Sequence, residues 1–83
     1  MSRLLQPPRR IEVRLDRRGR PTGLSHRGRF FEVRRVCRRW RVEEDWWRSP
    51  VARDYFEVET SGFVGVIFRD LAAGGWFLER VYD

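Results

Sequence analysis

The chain has no lysine, one cysteine and one histidine among its 83 residues, and the shortages of cysteine and histidine each exclude a class of site. Cys37 alone makes neither an internal disulfide nor a cysteine-based zinc site, because both need a second thiol. Nucleophilic catalysis needs a base beside the nucleophile, but the single histidine, His26, stands beside a glycine turn and eleven residues from Cys37. We therefore expect no bound metal or cofactor, and a thiol that suits a reducing compartment.

Long hydrophobic runs are also missing. The longest, apart from its glycine, is VGVIF at residues 64–68, which is far short of the ~20 apolar residues of a membrane span. The opening residues, MSRLLQPPRR, lack the apolar region and the small-residue cleavage site of a signal peptide. These absences predict a cytoplasmic protein with no membrane partner.

Patterns typical of enzymes are scarce. The glycines from Gly62 to Gly75 fit hairpin turns rather than the strand–loop–helix cradle that binds phosphate. The acidic cluster at residues 43–45 favours ion pairs with neighbouring arginines over acid–base catalysis, which needs two carboxylates facing each other in a cleft. The sequence therefore predicts a binding module rather than an enzyme.

Positive charge is abundant and unevenly distributed. Residues 1–41 hold 14 arginines and three acids, whereas residues 42–83 hold four arginines and nine acids, for a net charge of +6. Two interpretations follow from this asymmetry. The basic and acidic halves pair with each other in the fold, or a basic face is left for a polyanion such as nucleic acid.

Alternation of apolar and polar residues is the dominant pattern. Ile11, Val13 and Leu15 alternate with charged residues, which predicts a half-buried strand. Glycine and proline turns at residues 17–21, 27–28 and 61–62 separate further strand-like runs. No long window has the period of a helix, so the pattern indicates an all-β chain.

Residues 1–9 read as a flexible tail, because Pro7-Pro8 blocks regular pairing and little apolar surface is available to fasten it. Residues 10–83 read as one all-β domain, an antiparallel meander of five to six strands. Closure removes exposed sheet edges, which favours a small SH3-like barrel. A bent, open roll is the alternative.

Residues 29–42 form the longest strand-like run, and its apolar positions change parity. Two of them come early and three later: Phe31 and Val33, then Val36, Trp40 and Val42. One inserted residue near Arg34-Arg35 would place all five on one face, so we expect a β-bulge or bend there. Trp40 then faces inward, as does Trp76, and we expect replacement of either by alanine to cost about 3–5 kcal/mol.

Arginines surround this run and give one candidate binding surface. A stripe of guanidinium groups tracks a phosphate backbone, with each neutralised phosphate adding a salt-dependent increment of affinity. The candidates for nucleic-acid contact are Arg14, Arg27, Arg29, Arg34, Arg35, Arg38, Arg39 and Arg41.

Adjacent tryptophans give a second candidate surface. In an extended chain Trp46 and Trp47 point to opposite faces, so at most one of them readily enters the core. The other, with Arg48 beside it, has the composition of a protein-interaction hot spot. We take Trp46, Trp47 and Arg48 as candidates for contact with a partner.

The same region carries a family resemblance. The stretch WRVEEDWWRSPVARDYFEVET, together with the later GGWFLERVYD, resembles the C-terminal segment of ImuB-type proteins and of related small stand-alone bacterial proteins. The matching positions are Trp40, Arg41, Trp46, Trp47, Arg48, Arg53, Asp54, Tyr55 and Phe56. ImuB-type proteins are inactive homologues of Y-family DNA polymerases that act in translesion synthesis, and their C-terminal region is associated with protein partners.

The resemblance implies a non-catalytic accessory role in bacterial DNA damage tolerance. It brings no catalytic residues, because the family's C-terminal segment has no agreed catalytic residues to carry over. We therefore expect a monomeric or weakly associating module that docks a protein partner. Nucleic-acid binding through the arginine-rich face is the alternative.

Overall fold

The structure is a computed structural model that describes residues 2–45 and 50–82. Its strands are β1 (Ser2–Leu15), β2 (Pro21–His26), β3 (Arg29–Glu44), β4 (Val51–Thr60), β5 (Val64–Asp70) and β6 (Trp76–Tyr82). Each strand pairs antiparallel with the next, and β6 pairs back with β1 to close a barrel. The prediction of a small antiparallel all-β barrel is confirmed. The described ranges contain no helix with the length and hydrophobicity of a membrane span.

The first half of β1 differs from the predicted tail. Ser2 pairs with Tyr82 and Leu4 with Arg80, and pairing resumes at Arg9, opposite Leu78. The ladder is interrupted in between, where two prolines lack the N–H donors that pairing requires. These residues have no strand pattern of their own. They join the sheet because barrel closure brings β6 alongside them.

A tight hairpin joins β2 and β3. Arg27 and Gly28 have φ angles of 53° and 75°, and the flanking His26 and Arg29 are register partners. Two central residues with positive φ make a type I′ turn, whose twist matches that of the strands. The hairpin therefore projects Arg27 and Arg29 from a fixed position.

The barrel interior is the main core, and all six strands contribute to it. Its buried members are Ile11, Leu24, Phe56, Val58, Ile67 and Leu78. Phe31, Val33, Val36 and Trp76 are half-buried and pack against them. The inward orientation predicted for Trp76 agrees with this arrangement. Trp76 lies beside the ring of Phe56, with 5.5 Å between the ring centroids.

Strand β3 contains two irregularities where the sequence predicts one. The register shifts between Val33 and Arg35, which confirms the expected bulge, and shifts again between Val36 and Arg38. Each shift inserts one residue and reverses the alternation of faces. The first keeps Val36 inside the barrel. The second turns Trp40 and Val42 to the outer face, so the predicted inward orientation of both is wrong.

The outer face instead carries a row of four rings on four adjacent strands. They are successive register partners, Trp40, Tyr55, Phe68 and Phe77. Neighbouring centroids are 5.2 Å apart at each step. The guanidinium groups of Arg38 and Arg53 lie over the first and third rings, 4.7 and 4.4 Å from the centroids. This aromatic row is a second apolar cluster, which lets a thin barrel bury rings on both sides of its sheet.

Candidate nucleic-acid interface

Arginines of β3 face acids of β4, because the register of this pair places opposite charges side by side. Arg35 is the partner of Glu59 and Arg38 that of Glu57. Their shortest nitrogen–oxygen distances are 3.4 and 3.5 Å. Such exposed pairs contribute little stability, but each carboxylate offsets the positive potential of the guanidinium beside it.

Asp54 binds two further arginines. Arg41 donates from Nε to Oδ1 at 2.7 Å and from Nη2 to Oδ2 at 3.0 Å, and Arg39 lies 3.5 Å from Oδ2. The Asp54 side chain is only 10% exposed. The hydrogen bonds from Arg41 hold the pKa of this carboxyl below its usual range, although burial alone would raise it. We call Arg35, Arg38, Arg39 and Arg41 the paired arginines.

Arg34 occupies a separate place. The first bulge of β3 carries it into a small hollow of about 260 Å³, lined also by Asp16 and Arg20. Backbone hydrogen bonds, of which that from the Arg20 N–H contributes most, lower the pKa of Asp16, so its carboxylate is charged at neutral pH. Arg34 therefore adds its charge to a mixed surface rather than to a continuous basic stripe.

A larger groove lies where β1 changes partners. Strand β1 pairs with β6 as far as Ile11 and with β2 from Glu12 onward. The β2–β3 hairpin and the start of β6 diverge at this point and leave a groove of about 820 Å³. The residues that line it are Arg10, Ile11, Glu12, Val13, Ser25, Arg27, Gly28, Arg29, Phe30, Gly75 and Trp76.

Positive charge dominates this groove. Arg10, Arg27 and Arg29 line it, and Arg14 lines a hollow of about 390 Å³ that shares Phe30 with it. We call these four the groove arginines and the two adjoining hollows the basic groove. Among the described residues no carboxylate forms an ion pair with any of them, although Glu12 lines both hollows. Their charge is therefore available to a ligand.

His26 lies at the end of β2, where nearby arginines affect its pKa. Burial has the largest effect and lowers its pKa, and the positive charges of Arg27 and Arg9 lower it further. Nδ1 of His26 is buried and has no hydrogen-bond partner among the described residues. The imidazole is therefore neutral at pH 7 and leaves the positive charge of the groove to its arginines.

Phe30 is the exposed ring of the groove. It is 53% exposed, and it shares the outer face of the barrel with its register partner Ser25. The tip of the ring lies over Gly23, where an added Cβ would stand 2.3 Å from Cζ. The guanidinium of Arg14 lies 4.8 Å from the ring centroid. The exposed ring therefore occupies the space that Gly23 leaves, with the guanidinium of Arg14 beside it.

Arg10 is fixed on the opposite side of the groove. Its guanidinium lies 5.9 Å from the centroid of Phe77, the last ring of the aromatic row. It also passes close to Gly75, where a Cβ would stand 3.1 Å from Nη2. Gly75 has a φ of 92°, so a side chain there would be strained as well as crowded. The Gly74-Gly75 turn thus leaves the space that the Arg10 side chain occupies.

The eight arginines predicted to contact nucleic acid separate into three groups. Arg14, Arg27 and Arg29 meet at the basic groove, Arg34 lies in the small hollow, and four are the paired arginines. The partner candidates Trp46, Trp47 and Arg48 lie outside the described residues. Sequence reasoning missed Arg10 and Phe30. Phe30 had a usable signal, because it alternates with the inward-facing Phe31.

Comparison with known proteins adds no assignment. The chain matches no protein-family model, and no curated protein and no solved structure shows significant similarity to it. The resemblance to the ImuB C-terminal segment therefore stays a prediction. Within residues 2–45 and 50–82, no group of three or more histidine, cysteine, aspartate or glutamate side chains is placed to hold a metal ion.

Proposed function

We propose that this protein is a non-catalytic module that binds nucleic acid through the basic groove. One observation carries the proposal: the groove arginines form no ion pair with the described residues, while the paired arginines are offset by β4. Free guanidinium groups present planar donors that match phosphate oxygens. Phosphate contact also releases counterions, which drives the association.

A charge-matched pair of variants tests the proposal by fluorescence anisotropy. Arg27→Asn with Arg29→Gln removes two charges from the groove, and asparagine before Gly28 suits the type I′ turn. Arg35→Gln with Arg38→Gln removes the same charge from the paired arginines. At about 50 mM salt we expect the groove variant to lose on the order of tenfold in affinity for a short single strand and its salt slope to fall by about 1.4.

The control variant should bind within about twofold of the wild type if charge at the groove, rather than net charge, decides affinity. An equal loss in both variants would show that the groove is not the binding surface. Absence of any oligonucleotide binding by the wild type at about 50 mM salt would remove the proposed function altogether.

The resemblance supports a second proposal, a partner-docking role in bacterial DNA damage tolerance. Several matching residues contact one another across β3 and β4. Arg41 binds Asp54, and Trp40 stacks on Tyr55 with an angle of 4° between the rings. These contacts join β3 to β4. Trp46, Trp47 and Arg48 lie between these two strands in the sequence.

A pull-down with purified translesion-synthesis proteins tests this second role. We expect enrichment of one partner by the wild type and loss of that enrichment with Trp47→Ala, because aromatic anchors carry most of the binding energy of an interface. No enrichment, or enrichment that Trp47→Ala leaves unchanged, would contradict it.

A further inference from the structure

We propose that the basic groove binds a single strand, and that Phe30 is the platform on which one of its bases stacks. The inference rests on the proposed nucleic-acid function and adds the class of ligand. It joins two observations: Phe30 is an exposed ring, and it lines two adjoining hollows that groove arginines also line.

Phe30 belongs to neither apolar cluster of the barrel, so its ring is available for another contact. Among the large hydrophobic residues exposed in the described part of the chain, it is the most exposed and the only aromatic one. The others, Leu4, Leu15, Val64 and Leu71, are between 36% and 46% exposed. The next residue, Phe31, packs against the interior core. Phe30 therefore places a large apolar surface in water beside the groove arginines.

The position of the ring is set before any ligand arrives. Gly23 provides the space over which its tip lies, and Arg14 approaches to 4.8 Å from its centroid. The hairpin turn at Arg27-Gly28 fixes the strand that carries it. A ring held in this way loses little conformational freedom when a base stacks on it, and preorganisation of this kind favours affinity.

Stacking on Phe30 requires an unpaired strand. Within a duplex each base face is covered by its neighbours, and exposing one requires that the base be unpaired and unstacked. A single strand presents base faces freely, and proteins that bind one combine a cationic groove with aromatic platforms. Phe30 lines both hollows, and groove arginines line each of them, so phosphates flanking a stacked base can be contacted together.

A cycle that varies protein and ligand isolates the stacking contribution. The ligands are an oligothymidylate of about twelve nucleotides and an abasic strand with the same number of phosphates. The proteins are the wild type and Phe30→Leu, which keeps an apolar side chain but removes the ring. Leu71→Ala, an exposed apolar change in the turn after β5, is the control.

We expect the wild type to prefer the oligothymidylate over the abasic strand by roughly 5- to 100-fold. Phe30→Leu should bind both strands equally and should bind the abasic strand as the wild type does. Leu71→Ala should keep the wild-type preference. A duplex of the same length should bind more weakly than the oligothymidylate.

The outcomes separate this inference from the proposed function. Binding that depends on the groove arginines but shows no preference for bases, or a duplex bound more tightly than the single strand, would overturn stacking and leave nucleic-acid binding intact. Phe30→Tyr keeps the ring and should retain the preference. In the wild type, upfield shifts of thymine protons next to the Phe30 ring should appear in NMR spectra, and their absence would also overturn the inference.

Discussion

The two sets of arginines have the same side chain and the same barrel beneath them, yet only one set is offset by the fold. The paired arginines lie on β3 opposite Glu57, Glu59 and Asp54 of β4. The groove arginines lie on β1 and around the β2–β3 hairpin, where Glu12 is the only acid that lines the groove. The cross-strand neighbour, rather than residue type, determines whether an arginine's charge is available to a ligand.

The aromatic rings beside the two sets of arginines also differ in their exposure. Trp40 belongs to the aromatic row and stacks on Tyr55, which is 8% exposed. Phe30 stands among the groove arginines with more than half of its surface in water. Rings beside the paired arginines hold the barrel together, whereas we assign the ring in the groove to the ligand. A separate substitution in each region tests this difference between the rings.

Replacement of one ring from each region should give the largest contrast in stability. Trp40→Ala removes the first ring of the aromatic row, and we expect the free energy of unfolding to fall by about 2–4 kcal/mol, because a large packed ring is lost. Phe30→Ala should cost less than about 0.5 kcal/mol, as is usual for an exposed position. Urea denaturation of both variants gives the two values. Equal losses would show that Phe30 is a packing residue after all.

Removal of one acid from each region should give a smaller contrast in the free energy of unfolding. Asp54→Asn removes the charge that binds Arg41 and Arg39 while keeping the shape of the side chain. We expect it to lower the free energy of unfolding by about 1–2 kcal/mol, since hydrogen bonds between charged groups are weakened. Glu12→Gln should change stability by less than about 0.5 kcal/mol. It should also tighten oligonucleotide binding, because it removes the groove's only acid.

The dependence of the free energy of unfolding on pH in acid is a separate test of the sign of the Asp54 contribution. Its pKa in the folded protein is lowered from 3.8, so the folded state favours the carboxylate more than the unfolded state does. The stabilisation is complete above pH 3.8 and is lost as the pH falls through the lowered pKa. The difference in stability between the wild type and Asp54→Asn should therefore shrink in strong acid. A difference that grows on acidification would contradict this sign.

The smallest expected effect is the titration of His26 near the groove. Its pKa is lowered from 6.5 by burial and by Arg27 and Arg9, so the folded state binds the proton less readily than the unfolded state. Stability should decline as the pH falls below 6.5, and the decline should end once the lowered pKa is passed. His26→Gln should flatten this part of the profile. A stability that rises on acidification across the same window would contradict the assignment.

The sequence predicted the strands and turns that depend on local patterns. Alternation around Ile11 and the turns at Gly19 and Arg27-Gly28 depend on neighbouring residues, and the structure agrees with them. The pairing of Ser2–Leu4 was missed because β6 supplies it from the far end of the chain. Local alternation predicts individual strands, but it does not show which distant strands pair to close the barrel.

The second bulge and the ion pairs were beyond the reach of a single sequence. Val36, Trp40 and Val42 share one parity, so the pattern alone does not show that a register shift after Val36 separates them. The pairing of Arg38 with Glu57 likewise depends on the register of two long strands. Both facts depend on the register between β3 and β4. That register places four of the predicted arginines beside acids and so interrupts the predicted arginine stripe.

The difference between the two sets of arginines implies that a nucleic-acid ligand contacts the groove arginines and not the paired ones. A titration of the ¹⁵N-labelled protein with an oligothymidylate of about twelve nucleotides tests it most directly. We expect amide shifts to change at Arg14, at Arg27 to Phe30 and at Gly75, while Glu57 and Glu59 opposite the paired arginines stay in place. Shifts centred on β3 and β4, or no shifts at low salt, would contradict the claim.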